Sequence, residues 1–175
     1  SSSHPICIMK THIYKYFENL DGYVFDKHDN ISPFVSTIDN FDRLRIKSDH
    51  PSRSKSDTYY INKNTVLRTH TSAHQNQLFT KGKYNFLVTG DVYRKDEVDS
   101  SHYPVFHQME GVGVVPDNED PITTLKNVLS GLVMYLFPDC EYRFNDDYFP
   151  FTDPSFEIEV KYKDKWLEIL GAGIT

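Results

Sequence analysis

The chain has 175 residues and a mass of 20.4 kDa, one domain's worth, and at that length burial of roughly 70% of the unfolded surface makes disulfide staples unnecessary. With 38% hydrophobic and 14% aromatic residues and only 8 Gly and 9 Pro, it is neither collagen-like, low-complexity nor wholly disordered. Nineteen Lys plus Arg against 25 Asp plus Glu leave a net charge of −6 and a pI near 5.7, which excludes a global positive field for nucleic acid or anionic lipid.

From Pro5, the residues Ile6, Met9, Ile13, Phe17 and Leu20 recur at three- and four-residue spacing, with Gly22 just past the end, and predict a first amphipathic helix. The polar stretch from about Asp26 to Asn64 has no sustained period and reads as short strands and loops. Ser72 with Gln75 three residues on is a capping-box pattern, so Ala73 to Leu78 is expected to be a short helix ending near Gly82. Tyr84 to Arg94 and Tyr103 to Val115 are β-rich runs around a charged loop from Lys95 to His102, and predict an antiparallel pair. Asp120 and Pro121 supply an N-cap and a first helical residue, and Ile122, Leu125, Val128, Leu129, Leu132 and Leu136 form a stripe that Pro138 stops. A last hairpin runs from Phe156 to Tyr162, turns at Lys163 to Lys165 and returns from Trp166 to Leu170; Gly171 to Thr175 carries no helix signal. These elements make the fold class α+β, with helices flanking one antiparallel sheet.

Cys7 and Cys140 form no Cys-x-x-Cys motif and read as buried free thiols of a reducing compartment. The longest apolar stretch, Val128 to Phe137, is interrupted by Ser130 and Gly131 and falls well short of the roughly 20 residues a membrane span needs, so no membrane contact is expected. The start, Ser1 to Pro5, has no targeting-peptide pattern.

In an extended strand Phe106, Gln108 and Glu110 share one face and Val105, His107 and Met109 the other. The first face is either open to water or a ligand platform, with a ring to stack on and polar groups to receive an ammonium. Arg94, across the hairpin, has the planar fork that meets an anion. Phe149 and Phe151 put both rings on one side if their segment is extended, and serve either the core or an aromatic guest. His70 and His74 are four apart, but without a third ligand at a telling spacing no metal site is expected. No nucleophile elbow, P-loop or Gly-x-Gly-x-x-Gly occurs, which disfavours a covalent hydrolase and a Rossmann enzyme.

Taken together, Asp39-Asn40-Phe41-Asp42, Asp49 to Arg53, Leu67 to Gln75, Gly90 to Asp96, His102 to Gly111 and Tyr148 to Ser155 resemble the phenylalanyl-tRNA synthetases of class II, over nearly the whole chain and nearest in wording to the single-chain organellar type. The resemblance implies that the carboxylate of phenylalanine attacks the α-phosphorus of ATP, with Mg2+ accompanying the nucleotide, and that the acyl group passes to tRNA(Phe). Such chemistry is positioning and charge neutralisation, and needs no protein nucleophile.

By the same resemblance, Arg94 holds the α-phosphate, Phe106 lies under the adenine, and Asp96 and His102 flank the nucleotide. Gln108 and Glu110 receive the ammonium, and His70, Ser72 and Gln75 shape the rest of the amino-acid site. Phe149 and Phe151 meet the substrate ring, while Ala172, with Gly173, keeps the far end of the pocket open. The whole of 1–175 is expected to be a partial catalytic domain, lacking the third class motif and the anticodon-binding domain, with a shortened stretch after Val115. A monomer in a mitochondrion or plastid is implied. The alternative is a non-catalytic paralogue or fragment that binds an amino acid or a protein partner.

Overall fold

Proline at the first helical position and a cap ahead of it start both long helices. In the computed structural model, which describes residues 3–95, 97–99 and 102–175, the His4 Nδ1 accepts from the Ile6 N–H ahead of α1 (Pro5–Glu18). Asp120 does the same for the Thr123 N–H at 2.8 Å ahead of α4 (Pro121–Leu136). Between them lie β1 (Asp26–His28), β2 (Phe34–Ser36), α2 (Thr37–Asn40), β3 (Tyr60–Asn62), β4 (Thr65–Leu67), α3 (Gln75–Thr80), β5 (Phe86–Tyr93) and β6 (Val105–Val112). Strands β7 (Tyr142–Asp147), β8 (Ser155–Tyr162) and β9 (Lys165–Gly173) follow α4.

The chain divides into two compact units, Gly22–Val114 and the pair of segments Ser1–Asp21 and Val115–Thr175. In the first unit β5 is central: it pairs antiparallel with β6 from Phe86 opposite Val112 to Tyr93 opposite Val105, and parallel with β1. A second small sheet has the order β2-β4-β3. Phe41 and Val66, both fully buried, pack with Val35 and Ala73; Leu78, Phe86 and Val88 form a second cluster. Burial of side chains of this size stabilises the unit by about 1.5 to 3 kcal/mol each.

In the second unit β8 is central to the order β7-β8-β9. Its hairpin with β9 turns on Lys163 (φ 48°) and Asp164 (φ 63°), the paired positive φ values of a two-residue turn matched to strand twist. Phe156, Ile158 and Val160 of β8 are buried, as are Leu129, Leu132 and Val133 of α4. Along α1 only Phe17 is buried; Ile6 and Met9, expected on its packed face, are exposed.

The α+β class stands, with two differences from the expected single antiparallel sheet. Among the described residues hydrogen bonding defines three three-stranded sheets, and β1 joins β5 in parallel. Strand β7, not foreseen, pairs with β8 along its whole length, and β9 carries on through Gly173.

Candidate active site

Strand alternation delivers the expected face. Phe106, Gln108 and Glu110 lie opposite Val92, Gly90 and Val88 and are half-buried. On the other face the His107 Nε2 stands 3.4 Å from the Asp91 carboxylate. Glu110 is the centre of the polar cluster: Ser72 Oγ donates a short hydrogen bond to its Oε2, Gln75 Nε2 donates to Oε1 at 2.8 Å, and Thr71 Oγ1 reaches Oε2 at 3.5 Å. The Thr71 N–H donates to Gln108 Oε1 at 3.2 Å. Burial pushes the Glu110 carboxyl above its ordinary range, against the opposing pull of the Ser72, Gln75 and Thr71 donors.

Ser72 is therefore not a helix cap. Thr71–His74 is a 3-10 turn with no side-chain cap bond at its start, and it runs directly into α3. The hydroxyl and the amide that spell a capping box both turn to the carboxylate on β6, because a charge-assisted bond is about twice as strong as a neutral one. His70 and His74 do not share a helix, since His70 precedes the turn. Among the described residues no group of three or more His, Cys, Asp or Glu could hold a metal ion.

His70 Nε2 donates to the Asn40 carbonyl at 3.1 Å. Burial, with Arg94 nearby, lowers its pKa to about 4, so the ring is neutral. Arg94, just past β5, donates from Nε to the Thr69 carbonyl at 3.1 Å, and its guanidinium carbon lies 5.0 Å from the centroid of the Phe106 ring. Its own N–H bonds to the Pro104 carbonyl at 3.0 Å. Arg94, Phe106, Gln108, Glu110, His70, Ser72 and Gln75 are thus brought together by β5, β6 and the 70–75 segment. His102 lies on the loop between β5 and β6, exposed, its Nδ1 2.9 Å from Asp99 Oδ2 and its N–H donating to Asp99 Oδ1 at 2.7 Å. Asp96 lies outside the described residues.

The remaining expected residues belong to the second unit. Phe149-Pro150-Phe151 is a turn, closed by the Thr152 N–H donating to the Phe149 carbonyl at 3.2 Å, so the rings are not the alternate side chains of an extended segment. Ser155 holds this turn: its Oγ accepts from the Phe149 N–H at 3.2 Å and donates to the Thr152 carbonyl at 2.9 Å. The Phe149 ring lies against Gly171, where an added Cβ would overlap it. Ala172, opposite Phe156, projects from the other face of β9. Alternation therefore puts the Ala172 side chain on the face of β9 opposite the one on which the Phe149 ring rests. Gly173 projects with Gly171, toward Thr152 and the Pro154 carbonyl.

Sequence reading missed Thr71, Arg68 and Asn40. Arg68 is 3% exposed; its Nε donates to the Asp91 carbonyl at 2.8 Å and its Nη1 to His74 Nε2 at 2.8 Å. A Cβ on Gly90 would overlap Arg68 Nη2, which is why that position of β5 carries no side chain. The signal available was the invitation of an Arg and an Asn inside otherwise buried segments, where polar groups need partners.

The family model described as tRNA synthetases class II core domain (F) matches residues 1–175. The chain is 50% identical to the chloroplastic/mitochondrial phenylalanine–tRNA ligase of Arabidopsis thaliana over 98% of its length and 42% of that protein's. To the mitochondrial phenylalanine–tRNA ligase of Rattus norvegicus it is 42% identical over 98% of this chain and 44% of the relative. It spans less than half the length of either. A pyrrolysyl-tRNA synthetase of Desulfitobacterium hafniense superposes with a TM-score of 0.67 at 12% identity, covering 95% of this chain and 57% of that one, a likeness of fold alone. With a match over its full length and an antiparallel β5-β6 platform bearing Phe106 and Glu110, the chain belongs to the class II tRNA synthetase core domain family.

Proposed function

We propose that this chain is catalytic-core sequence of a phenylalanine–tRNA ligase, which activates phenylalanine with ATP to phenylalanyl-adenylate and transfers it to tRNA(Phe). The observation that carries the reading is the Glu110 carboxylate, half-buried beside Gln108 and bound by Ser72 and Gln75, on the same strand face as Phe106 and Arg94. A carboxylate held in that way suits a substrate ammonium, and an arginine stacked on a ring suits a phosphate beside an adenine. The names of relatives that are 50% and 42% identical over nearly the whole chain support the amino acid and the organelle, a mitochondrion or plastid.

In this reading Glu110 and Gln108 orient the ammonium, so the substrate carboxylate faces the α-phosphorus, and Arg94 neutralises charge that develops there. Phe149 and Phe151 are proposed to meet the phenyl ring, and His102 to contact the nucleotide. Mg2+ binds through phosphates with only one or two carboxylates. In this reading the ion accompanies the nucleotide, and Glu110, Gln108 and Arg94 perform the orientation.

The test is ATP–pyrophosphate exchange by the full-length protein that carries this chain. Exchange that requires phenylalanine supports the reading. No exchange with any amino acid, in folded protein, sinks it in favour of a non-catalytic binding role.

A further inference from the structure

Asn40 belongs to the Asp39-Asn40-Phe41-Asp42 motif, to which the proposed function gives no role. It is 0% exposed, the last residue of α2, and every polar group of its side chain is engaged by one residue. The Thr69 N–H donates to Asn40 Oδ1 at 3.1 Å, and Asn40 Nδ2 donates to Thr69 Oγ1 at 3.0 Å. An N–H can only donate, so the amide orientation is fixed by the network. The backbone carbonyl of the same residue accepts from His70 Nε2. A carbonyl can only accept, so the ring carries its proton on Nε2, and Nδ1 is a buried acceptor without a partner. Thr69 in turn presents its carbonyl to Arg94 Nε. On the far side of the segment, Arg68 donates to His74 Nε2 and to the Ile31 carbonyl at 3.2 Å, so the chain between is gripped from both sides.

We propose that Asn40 is a positioning residue of the activation site: its amide sets the Thr69 backbone that holds the Arg94 guanidinium, and its carbonyl fixes His70 with Nδ1 as the acceptor offered to the ligand. The proposal rests on the functional reading above for the identity of the ligand, though not for the geometry. Asn40 touches no reacting atom in this account. Its effect passes through Thr69 to a phosphate-binding arginine and, through its carbonyl, to His70.

The experiment compares Asn40→Ala, Asn40→Asp and Phe41→Leu in the full-length protein by phenylalanine-dependent ATP–pyrophosphate exchange and thermal melting. Asn40→Ala removes both bonds to Thr69 and is expected to raise KM for ATP and for phenylalanine about tenfold each, the scale of one charge-assisted hydrogen bond. Asn40→Asp keeps both bonds, since the Thr69 hydroxyl can donate to the second oxygen, and is expected to hold both KM values within about threefold of wild type. Phe41→Leu, next door and fully buried, is expected to lower Tm with both KM values unchanged. A folded Asn40→Ala with wild-type KM values overturns the proposal. So does a folded Asn40→Asp with both raised tenfold, or a Phe41→Leu that raises them as Asn40→Ala does.

A second readout needs no activity, so it stands even if wild type exchanges no phosphate and the functional reading falls. By 15N NMR, wild-type His70 is expected in the Nε2–H form. The Arg94 Nε–H is expected to exchange with water about tenfold faster in Asn40→Ala than in wild type or Asn40→Asp. Equal exchange rates in folded Asn40→Ala and wild type, or an Nδ1–H form of His70, would overturn the positioning role by itself.

Discussion

Gln75 donates to one oxygen of the Glu110 carboxylate at 2.8 Å while Ser72 bonds the other, so a single acid on β6 organises the 72–75 segment. Both donors are neutral, and among the contacts of Glu110 described above there is no cation. In the proposed function that charge meets the substrate ammonium. Glu110→Gln is expected to keep the fold and to raise KM for phenylalanine by about 10- to 100-fold, the range for losing a charged hydrogen-bond partner. A steady-state titration of phenylalanine at saturating ATP checks it; an unchanged KM would remove Glu110 from the amino-acid site.

The pH dependence follows from the same burial. Since the Glu110 carboxyl sits above its ordinary range, it protonates earlier as pH falls and stops receiving an ammonium. Phenylalanine affinity is expected to decline on acidification while the protein is still folded, and Glu110→Gln to flatten that decline. Binding measured by calorimetry between pH 5 and 8 checks both halves.

Acid stability has a separate source in the two histidines. Burial lowers His70 and His74 from 6.5 to about 4, so between those values the unfolded chain binds protons that the folded chain refuses. Stability is therefore fully present above about pH 6.5 and is lost as pH falls toward about 4. For His74, which is 2% exposed, the loss is on the order of 3 kcal/mol. His74→Gln is expected to lower Tm at pH 7.5 through loss of the Arg68 contact, yet to shrink the difference in Tm between pH 7.5 and 5. An undiminished difference would contradict the assignment.

Arg94 faces the ring of Phe106 and holds its place through Thr69. Arg94→Ala is expected to lower kcat for exchange by about 10²- to 10³-fold, the cost of removing one preorganised group from a developing charge. Phe106→Leu is expected to act chiefly on KM for ATP. Separate titrations of ATP in the two variants would distinguish charge from stacking.

Gly171 is where packing rather than chemistry forbids a side chain. A Cβ there overlaps the Phe149 ring, so Gly171→Ala should displace the ring and destabilise the second unit by about 1 to 3 kcal/mol. Ala172→Gly, on the opposite face beside Phe156, is expected to lower stability without altering the preference between phenylalanine and larger para-substituted analogues. Melting curves and relative exchange rates test the pair.

Much of this arrangement is legible in the sequence because it depends on near neighbours. Asp120 and Pro121 announce α4, the β5-β6 pair follows from two β-rich runs around a charged loop, and alternation along β6 puts Phe106, Gln108 and Glu110 on one face. What escapes is long-range. Ser72 and Gln75 spell a capping box to a reader who sees only local donors, whereas their partner stands 38 residues away from Ser72. The Phe149 turn is held by a side chain of β8, and β1 finds β5 in parallel across most of the unit. Strand β7 ends in Asp146 and Asp147, a pair that reads as loop.

The central claim is most directly tested by calorimetric titration of the full-length protein with a non-hydrolysable phenylalanyl-adenylate analogue, with the tyrosyl analogue and Glu110→Gln as comparators. The account predicts tight binding, weaker for the tyrosyl analogue by about 10²-fold as expected of an apolar pocket with no partner for a hydroxyl, and strongly weakened in Glu110→Gln. Equal affinity for the two analogues, or binding unaffected by Glu110→Gln in folded protein, would contradict it.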